Sequence, residues 1–174
     1  TDADRQHVGS TIPKFHLGMN LGFEYKDFDL QFQLSGAFGH KSFNGPRSAF
    51  DRFDDNSNYR ASYDPWSPEN PNAKDPRPIY GDSRNVRGDQ DRWLENGSYL
   101  KVKQMALGYN LPQSILGSTF SNIRVYVNAQ NLITFTSYSG LDPEFLNANI
   151  WDRSYDGGAY PNPYGVTFGA QISF

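Results

Sequence analysis

Near the start of the chain, apolar and polar residues alternate with a period of two. From Phe15 to Tyr25 the odd-numbered residues are all apolar or aromatic, and the even-numbered residues are polar, charged or glycine. After Lys26-Asp27 the alternation resumes, with apolar residues and one glycine at the even numbers from Phe28 to Phe38. Successive side chains of a β-strand point to opposite faces, so the pattern indicates strands rather than helices. The sequence therefore predicts strands at about 13–25 and 28–38, joined as an antiparallel hairpin by a very short turn.

Three further segments alternate in the same way, at about 98–111, 122–133 and 164–174. In the first of these, the apolar residues fall at Leu100 and Val102 and then, one position out of phase, at Met105 and Leu107. A slip of one residue is typical of a β-bulge, in which one extra residue is inserted into a strand. We therefore expect five strands, the third of them with a bulge.

The connections between these strands differ greatly in length. Segments 26–27 and 112–121 are short, whereas 39–97 and 134–163 are long. Segment 39–97 holds six of the 11 prolines and little alternation, yet it is too aromatic for a disordered linker. Loops of this length usually have a function of their own. We expect a large ordered loop here, with local turns and a short helix.

Several features together favour an antiparallel transmembrane β-barrel. The predicted strands are longer than the roughly 5–6 residues usual in globular sheets, and their apolar faces carry no charge. Aromatic residues stand at the strand ends, where the interfacial girdles of membrane barrels lie. Tight turns alternate with long loops, as they do when turns lie on one side of a membrane and loops on the other. No run of 18 apolar residues occurs, so we expect no transmembrane helix.

A soluble fold remains an alternative at this stage. A β-sandwich also has one apolar and one polar face on each sheet, so a soluble carbohydrate-binding β-sandwich module fits the same alternation. If the barrel interpretation holds, five strands cannot close a barrel with an even number of strands, and open sheet edges are unstable in a bilayer. We then expect the chain to be the C-terminal fragment of a larger protein or one piece of a split barrel.

Composition and charge narrow the range of functions. The chain has 174 residues and a formal net charge of -3, which gives no basic surface for nucleic acid. It has no cysteine, which excludes disulfides, thiolate zinc sites and cysteine nucleophiles. His7, His16 and His40 are dispersed and belong to no catalytic motif. We therefore expect no enzymatic activity and no cofactor.

One segment has oxygen ligands at calcium-like spacing. Asp54, Asn56 and Asn58 stand at alternate positions, as at the start of a calcium loop, but the glycine and the distal glutamate of that motif are missing. A solvated turn rich in Asp and Asn explains the same residues, and we expect no metal site.

Specific motifs in the second half of the chain carry a family resemblance. In order, they are Trp93 to Lys103, Leu107-Gly108-Tyr109-Asn110-Leu111-Pro112, Arg124 to Leu132, Tyr138-Ser139-Gly140-Leu141-Asp142-Pro143-Glu144, Tyr160-Pro161-Asn162-Pro163 and Thr167 to Phe174. This series resembles the C-terminal part of SusC/RagA-type TonB-dependent outer-membrane transporters. The hairpin at 13–38 resembles the preceding pair of strands in that family, so the resemblance covers nearly the whole chain except the middle of 39–97.

The resemblance implies a fold and a function. The five strands would be the last five of a 22-stranded barrel plugged by an N-terminal domain, in the outer membrane of a Gram-negative bacterium. Segments 39–97 and 134–163 would then be extracellular, and 26–27 and 112–121 periplasmic. The expected role is import of oligosaccharides or oligopeptides with a SusD-like surface lipoprotein, driven by TonB through a part of the protein absent from this sequence. A passive porin-like barrel without TonB coupling is a further alternative, which the sequence upstream of Thr1 would decide.

Two groups of residues are candidates for direct roles. Aromatic platforms for a sugar or peptide are expected in the long loops, although packing of the loops against each other or a partner explains them more simply: Trp66, Tyr80, Trp93, Trp151, Tyr155 and Tyr160. The last strand ends in an aromatic residue on its apolar face. In outer-membrane barrels, which this resembles, such a strand is read by the barrel assembly machinery, and here the signal would comprise Phe168, Ile172 and Phe174.

Overall fold

A computed structural model describes residues 2–52, 58–82, 90–145, 147 and 149–174. Its largest element is a five-stranded sheet in which every neighbouring pair is antiparallel. The strands of this sheet are β1 (Phe15–Tyr25), β2 (Phe28–Phe38), β5 (Tyr99–Asn110), β6 (Asn122–Thr136) and β8 (Gly165–Ser173), in the spatial order β1-β2-β5-β6-β8. Each strand in this order pairs with the next one along the sheet, so the sheet is a simple meander.

The hairpin of β1 and β2 shows how closely the alternation determines these strands. Phe15 pairs with Phe38, and the register runs without interruption to Tyr25 opposite Phe28. Lys26 in the turn has φ 53°, the positive value that two-residue hairpin turns need to match the twist of their strands. The strand β6 is longer than expected, since it continues to Thr136 rather than ending near 133.

The phase slip in β5 is a bulge. The register of β5 with β2 shifts between Gln33 and Leu34, and its register with β6 shifts between Val102 and Gln104. Lys103 is the residue left without a partner on either side. An extra residue of this kind restores the apolar side chains that follow it to the same face of the sheet.

The five-stranded sheet leaves its apolar face uncovered. Large apolar side chains on this face are well exposed, with fractions from 37% for Leu21 to 80% for Phe168. The others in this set are Phe15, Met19, Phe23, Phe28, Leu107, Val125, Val166 and Ile172. Both edge strands, β1 and β8, also lack an outer neighbour within the described part of the chain. The sheet therefore has one bare face and two open edges.

The long loops contain a second sheet that the sequence did not predict. Strand β3 (Lys41–Asn44) pairs antiparallel with β4 (Leu94–Asn96) and parallel with β7 (Tyr155–Asp156). The second of these pairs joins the loop at 39–97 to the loop at 134–163. Strands of two to four residues are too short to show alternation, so the pairing is visible only in three dimensions.

Short helices complete the fold. Helix α1 (Gly45–Phe50) follows β3, and the side chain of Asn44 caps it by accepting a hydrogen bond from the backbone N–H of Arg47 at 2.9 Å. Helix α2 (Gln113–Leu116) lies in the connection between β5 and β6. Single 3₁₀ turns lie at Asp2–Asp4, Asp91–Trp93 and Ile150–Asp152. No helix in the described ranges is long and apolar enough to cross a bilayer.

Candidate functional site

The polar face of the five-stranded sheet meets the loop at 134–163 through a buried ion cluster. Lys101 of β5 is 2% exposed, and its Nζ donates to both carboxylate oxygens of Asp142 at 2.8 and 2.9 Å and to Glu144 Oε2 at 3.0 Å. Lys103 Nζ donates to the same oxygen of Glu144 at 2.5 Å. Two lysines face two carboxylates, so the cluster is neutral as a whole. Its hydrogen bonds compensate for the cost of removing these charges from water.

Asp142 is the centre of this cluster. Besides Lys101, it accepts hydrogen bonds from the backbone N–H of Glu144 at 3.0 Å and from both the backbone and side-chain nitrogens of Asn162 at 3.1 Å. Burial alone would raise the pKa of Asp142, but Lys101 and these N–H donors outweigh it and hold the pKa below its ordinary value. Asp142 is therefore a fixed negative charge that ties both ends of segment 142–162 to β5.

A second carboxylate joins the two long loops. Glu95 of β4 accepts from the backbone N–H and hydroxyl of Ser139 at 2.8 Å each, and from Arg47 and Asn44 at 3.1 Å each. Burial would raise the pKa of Glu95, yet these donors lower it below the ordinary value. The loop at 39–97 is thus held to the loop at 134–163 by hydrogen bonds as well as by strand pairing.

Buried Tyr138 and Asp156 make a further connection inside the second loop. The hydroxyl of Tyr138 donates to Asp156 at 2.6 Å, and Asp156 also accepts from the backbone N–H of Gly158 at 2.8 Å. Burial, followed by the carboxylate of Asp156, raises the pKa of Tyr138. The phenol consequently stays protonated and remains a donor.

Arg60 organises the described part of the first loop. Its guanidinium donates to buried Asp51 at 2.9 and 3.1 Å and to Asp75 at 2.6 Å. Burial would lower the pKa of Arg60, but the two carboxylates outweigh it and raise the pKa. The hydroxyl of Tyr63 donates to the carbonyl oxygen of Pro76 at 2.6 Å. One arginine therefore links segments 9 residues before it and 15 residues after it.

A cavity of about 470 Å³ lies between the sheet and the second loop. One wall is the row His16, Ala37 and Tyr99, which are direct neighbours across β1, β2 and β5. The facing wall comes from the second loop and includes Pro143, Glu144, Phe145 and Arg153. The ion cluster lies at the edge of this cavity, because Glu144 belongs to both.

A second cavity, of about 670 Å³, lies on the polar face toward the other end of the sheet. Arg124 of β6 reaches across β5 to Asp29 of β2 with hydrogen bonds of 2.8 and 2.5 Å, and its guanidinium stands 5.1 Å from the ring of Tyr126. Gly108 lies between the two strands, and a Cβ there would collide with both charged groups. The pair therefore depends on a residue without a side chain.

The predicted aromatic platforms differ in how far they are exposed. Tyr160, Trp151 and Tyr80 are 91%, 89% and 82% exposed, whereas Trp66 and Tyr155 are about half exposed. Tyr155 stacks on Phe43 with ring centroids 5.2 Å apart. Within the described ranges, Trp66, Tyr80 and Trp151 stack on no other ring.

Trp93 corrects one expectation from the sequence. Its side chain is 0% exposed, and the guanidinium of Arg92 lies 4.0 Å from its ring. A tryptophan with no free surface packs the loop and offers no platform for a ligand. Burial also lowers the pKa of Arg92, which agrees with a tightly packed surrounding.

The three residues of the expected assembly signal lie on the apolar face of β8 or directly after it. Phe168 pairs in register with Val127, and Ile172 with Ile123. Phe174 is 88% exposed and packs at 5.7 Å against Phe120. All three thus present apolar surface outward at one open edge of the sheet.

The sequence did not single out the residues that organise the loops. Lys101 looked like an ordinary polar-face residue, and nothing in the order of residues links it to Asp142, which is 41 positions away. The calcium-like spacing falls mostly outside the described residues, since Asp54 and Asn56 are not among them. In the ranges that are described, no group of three or more His, Asp or Glu side chains is placed to hold a metal ion.

Known proteins similar to this chain are receptors. No family model matches the chain. It is 35% identical over 182 residues to TonB-dependent receptor P3 of Formosa agariphila, a match that covers 99% of this chain and 17% of the relative. TonB-dependent receptor P26 of the same organism is 30% identical over 175 residues, covering 96% of this chain and 18% of that protein. The chain therefore spans less than a fifth of the length of these curated relatives.

Solved structures agree with these relatives. The RagAB peptide importer in its closed-closed state matches with a TM-score of 0.76 and 27% identity, over 97% of this chain and 18% of that one. Its open-open state matches with a TM-score of 0.76 and 28% identity over the same shares. The similarity thus extends to both sheets and the loops between them.

Proposed function

Because the chain belongs to the SusC/RagA-type TonB-dependent receptors, we propose that its sheet is the last part of a 22-stranded transmembrane barrel in the outer membrane of a Gram-negative bacterium. The observation that carries this proposal is the bare apolar face of the sheet, whose large side chains have no covering layer in the described structure. Lipid would cover this face, and strands from the remainder of the barrel would pair with the edges at β1 and β8.

The two long segments, 39–97 and 134–163, would be extracellular, and 26–27 and 112–121 would be periplasmic turns. Pairing of β3 with both β4 and β7 supports this assignment, because it brings the two long segments together beyond one end of the main sheet. Short turns then lie together at the opposite end.

The whole receptor would import a nutrient, an oligosaccharide or an oligopeptide, without chemically changing it. TonB would supply the energy through the part of the protein outside this chain, and a SusD-like lipoprotein would work with the extracellular loops. The names of the curated relatives support TonB dependence, and the RagAB structures are those of a peptide importer. The polar face of the sheet would form part of the lumen wall.

A soluble carbohydrate-binding sandwich is disfavoured by the same bare face. In a sandwich, a second sheet packs about 10 Å away and covers the apolar side chains of the first. Here the three-stranded sheet lies among the loops, and Phe23 and Phe168 keep more than half of their surface exposed.

A passive porin-like barrel differs from the proposed receptor only in that its transport is not coupled to TonB. Uptake that persists in a strain without TonB would favour it.

Charge placed on the apolar face tests the membrane assignment. In the full-length receptor, Leu21→Arg is expected to destabilise the barrel by about 2–4 kcal/mol, since an arginine would face hydrocarbon near the bilayer midplane. Asn20→Arg puts the same side chain on the opposite face and is the matched control. Urea unfolding of both variants in lipid vesicles measures the difference. Equal stability of the two variants would contradict the proposal.

The exposed loop aromatics are proposed contacts for the imported solute or the lipoprotein: Trp66, Tyr80, Trp151 and Tyr155. Trp151→Ala is expected to weaken uptake without lowering the stability of the loops, because the side chain is 89% exposed. Buried Trp93 is the contrast, since Trp93→Ala would act by destabilising the loop. Uptake measured together with limited proteolysis separates the two effects. Unchanged uptake by Trp151→Ala would remove that residue from the proposal.

Phe168, Ile172 and Phe174 are proposed as the signal for the barrel assembly machinery. Their outward position on or next to the edge strand β8 supports this role, because an edge strand is open to pairing with another protein. Phe174→Ala is expected to slow insertion into the outer membrane, while Phe120→Ala, which removes the ring packed against it, serves as the control. Pulse-chase measurement of folded receptor would show the delay.

A further inference from the structure

The cavity between the sheet and the second loop has the shape of a small binding site. Ala37 stands between the larger side chains of His16 and Tyr99 in the same row, so the wall is recessed at its middle. Phe145 of the second loop lies on the other side. The volume of about 470 Å³ is within the range of roughly 300–1,000 Å³ that is usual for sites of small ligands.

The charges around the cavity do not balance. Glu144 is matched by Lys101 and Lys103, and Asp142 shares Lys101, so the ion cluster contributes no net charge. Arg153 also lines the cavity, and among the described residues it has no ion-pair partner. A single uncompensated guanidinium remains, and its planar donors match the geometry of a carboxylate.

Two buried polar residues, His40 and Ser42, also line the cavity. His40 is 7% exposed and Ser42 is 1% exposed, and His40 Nδ1 and Ser42 Oγ have no hydrogen-bond partner in the described part of the chain. Burial, and then the nearby His16, lowers the pKa of His40, which keeps its imidazole neutral. Both atoms are themselves closed to solvent, so these two residues shape the wall of the cavity and the two atoms do not reach a solute inside it.

We propose that this cavity is a subsite for a carboxylate group on a small polar solute, with Arg153 as the residue that binds the carboxylate. Tyr99 and Phe145 would contact the body of the solute, and the ion cluster at Lys101 would hold the loop wall in place. The inference rests on the proposed function, since it specifies one chemical feature of what the receptor takes up. Two kinds of solute have this chemistry, a peptide with a free C-terminus and an acidic sugar.

Binding to the purified full-length receptor in detergent tests the proposal. Titration calorimetry would compare triglycine with triglycine amide, and a galacturonic acid disaccharide with the neutral galactose disaccharide. At least one carboxylate probe is expected to bind about tenfold or more tightly than its neutral counterpart, the scale of a charge-assisted hydrogen bond. The pair that shows this difference identifies the source of the carboxylate.

Variants then assign the effect to Arg153. Arg153→Gln is expected to remove the preference for the carboxylate, and Arg153→Lys to restore part of it. Arg77→Gln changes another exposed arginine that does not line the cavity, and it should bind like the unmodified receptor. Equal affinity for charged and neutral probes, or an unchanged preference in Arg153→Gln, would overturn the proposal.

Failure of the proposed subsite can be distinguished from failure of the proposed function. Binding in detergent requires neither lipid nor TonB, whereas the comparison of Leu21→Arg with Asn20→Arg concerns the membrane alone. Carboxylate binding that depends on Arg153 would support the subsite even if those two variants were equally stable. Loss of that dependence would overturn the subsite and leave the barrel assignment untouched.

Discussion

The five-stranded sheet and the loop region above it are built in opposite ways. The sheet exposes its apolar side chains, and the ion pair between two of its own strands, Asp29 with Arg124, is partly exposed. In the loop region, carboxylates such as Asp51 and Asp156 are 0% and 3% exposed and hydrogen-bonded. The apolar face of the sheet thus lacks a covering layer among the described residues, whereas the buried carboxylates of the loops are bound by donors within the chain. Single polar substitutions should therefore be costly where the loops meet each other or β5, and mild elsewhere in the sheet.

The largest effect is expected at Lys101. In Lys101→Met, the carboxylate of Asp142 would lose its ammonium partner while remaining buried, and breaking a buried pair in this way costs about 3–5 kcal/mol. Lys103→Met is the matched control, because Lys103 is 29% exposed and Glu144 keeps Lys101. Hydrogen exchange in segment 134–145 of the full receptor measures the loss. Equal exchange in the two variants would contradict the role of Lys101.

Tyr138→Phe should have the next largest effect. The change leaves Asp156 buried with one donor fewer, and an unsatisfied buried acceptor costs about 1–3 kcal/mol. Tyr160→Phe removes the same hydroxyl from a residue that is 91% exposed, and it should be neutral. Limited proteolysis of the loops compares the variants. A stable Tyr138→Phe loop would mean that Asp156 finds another donor.

Acid should loosen the loops before the sheet. The pKa values of Asp142 and Glu95 are lowered in the folded protein, so their ionised forms stabilise it above about pH 4, the ordinary range of carboxyl groups. That stabilisation is lost as the pH falls through the folded pKa values. Hydrogen exchange between neutral pH and about pH 3 should show opening of the loops first. In Asp142→Asn this acid-induced opening should be reduced, because one of the two titrating groups is gone.

The smallest effect is expected in the sheet. In Asp29→Asn, the guanidinium of Arg124 keeps water and the amide as partners, because the pair is partly exposed and lines the second cavity, and the loss should be about 1 kcal/mol. Urea unfolding in lipid vesicles would measure it, with Gln31→Asn on the same face as the control. A loss as large as that of Lys101→Met would mean that the two regions do not differ in the way described.

The difference between the sheet and the loop region also explains which elements the sequence could predict. The alternation located all five long strands, and the phase slip between Val102 and Met105 predicted the bulge that the structure places at Lys103, because side-chain period is a local property of the chain. Strands β3, β4 and β7 were missed because each has two to four residues and depends on partners far along the chain.

The candidate site was predicted less well for the same reason. The sequence around Trp151 does not show that this residue is exposed, and the sequence around Trp93 does not show that it is buried. Both residues stand in polar, irregular segments. Arg153 and His40 line the same cavity, whose walls come from four separate parts of the chain. Proximity of this kind follows from strand register and from the ion cluster, and neither can be read from residue order.

The return of Asn162 to Asp142 closes the second loop into a ring, which β7 and Asp156 hold at a further point. Residues 143–161 begin and end at the contact between Asp142 and Asn162, which closes them like a cross-link that joins two points of a polymer chain. Because the entropy of closing a ring grows only with the logarithm of its length, each doubling of this ring costs only about 0.6 kcal/mol. Insertions between Gly158 and Asn162, beyond the contacts of β7 and Asp156, are therefore cheap in free energy. The fold thus provides a short stretch that evolution can lengthen while the base of the loop stays attached to β5.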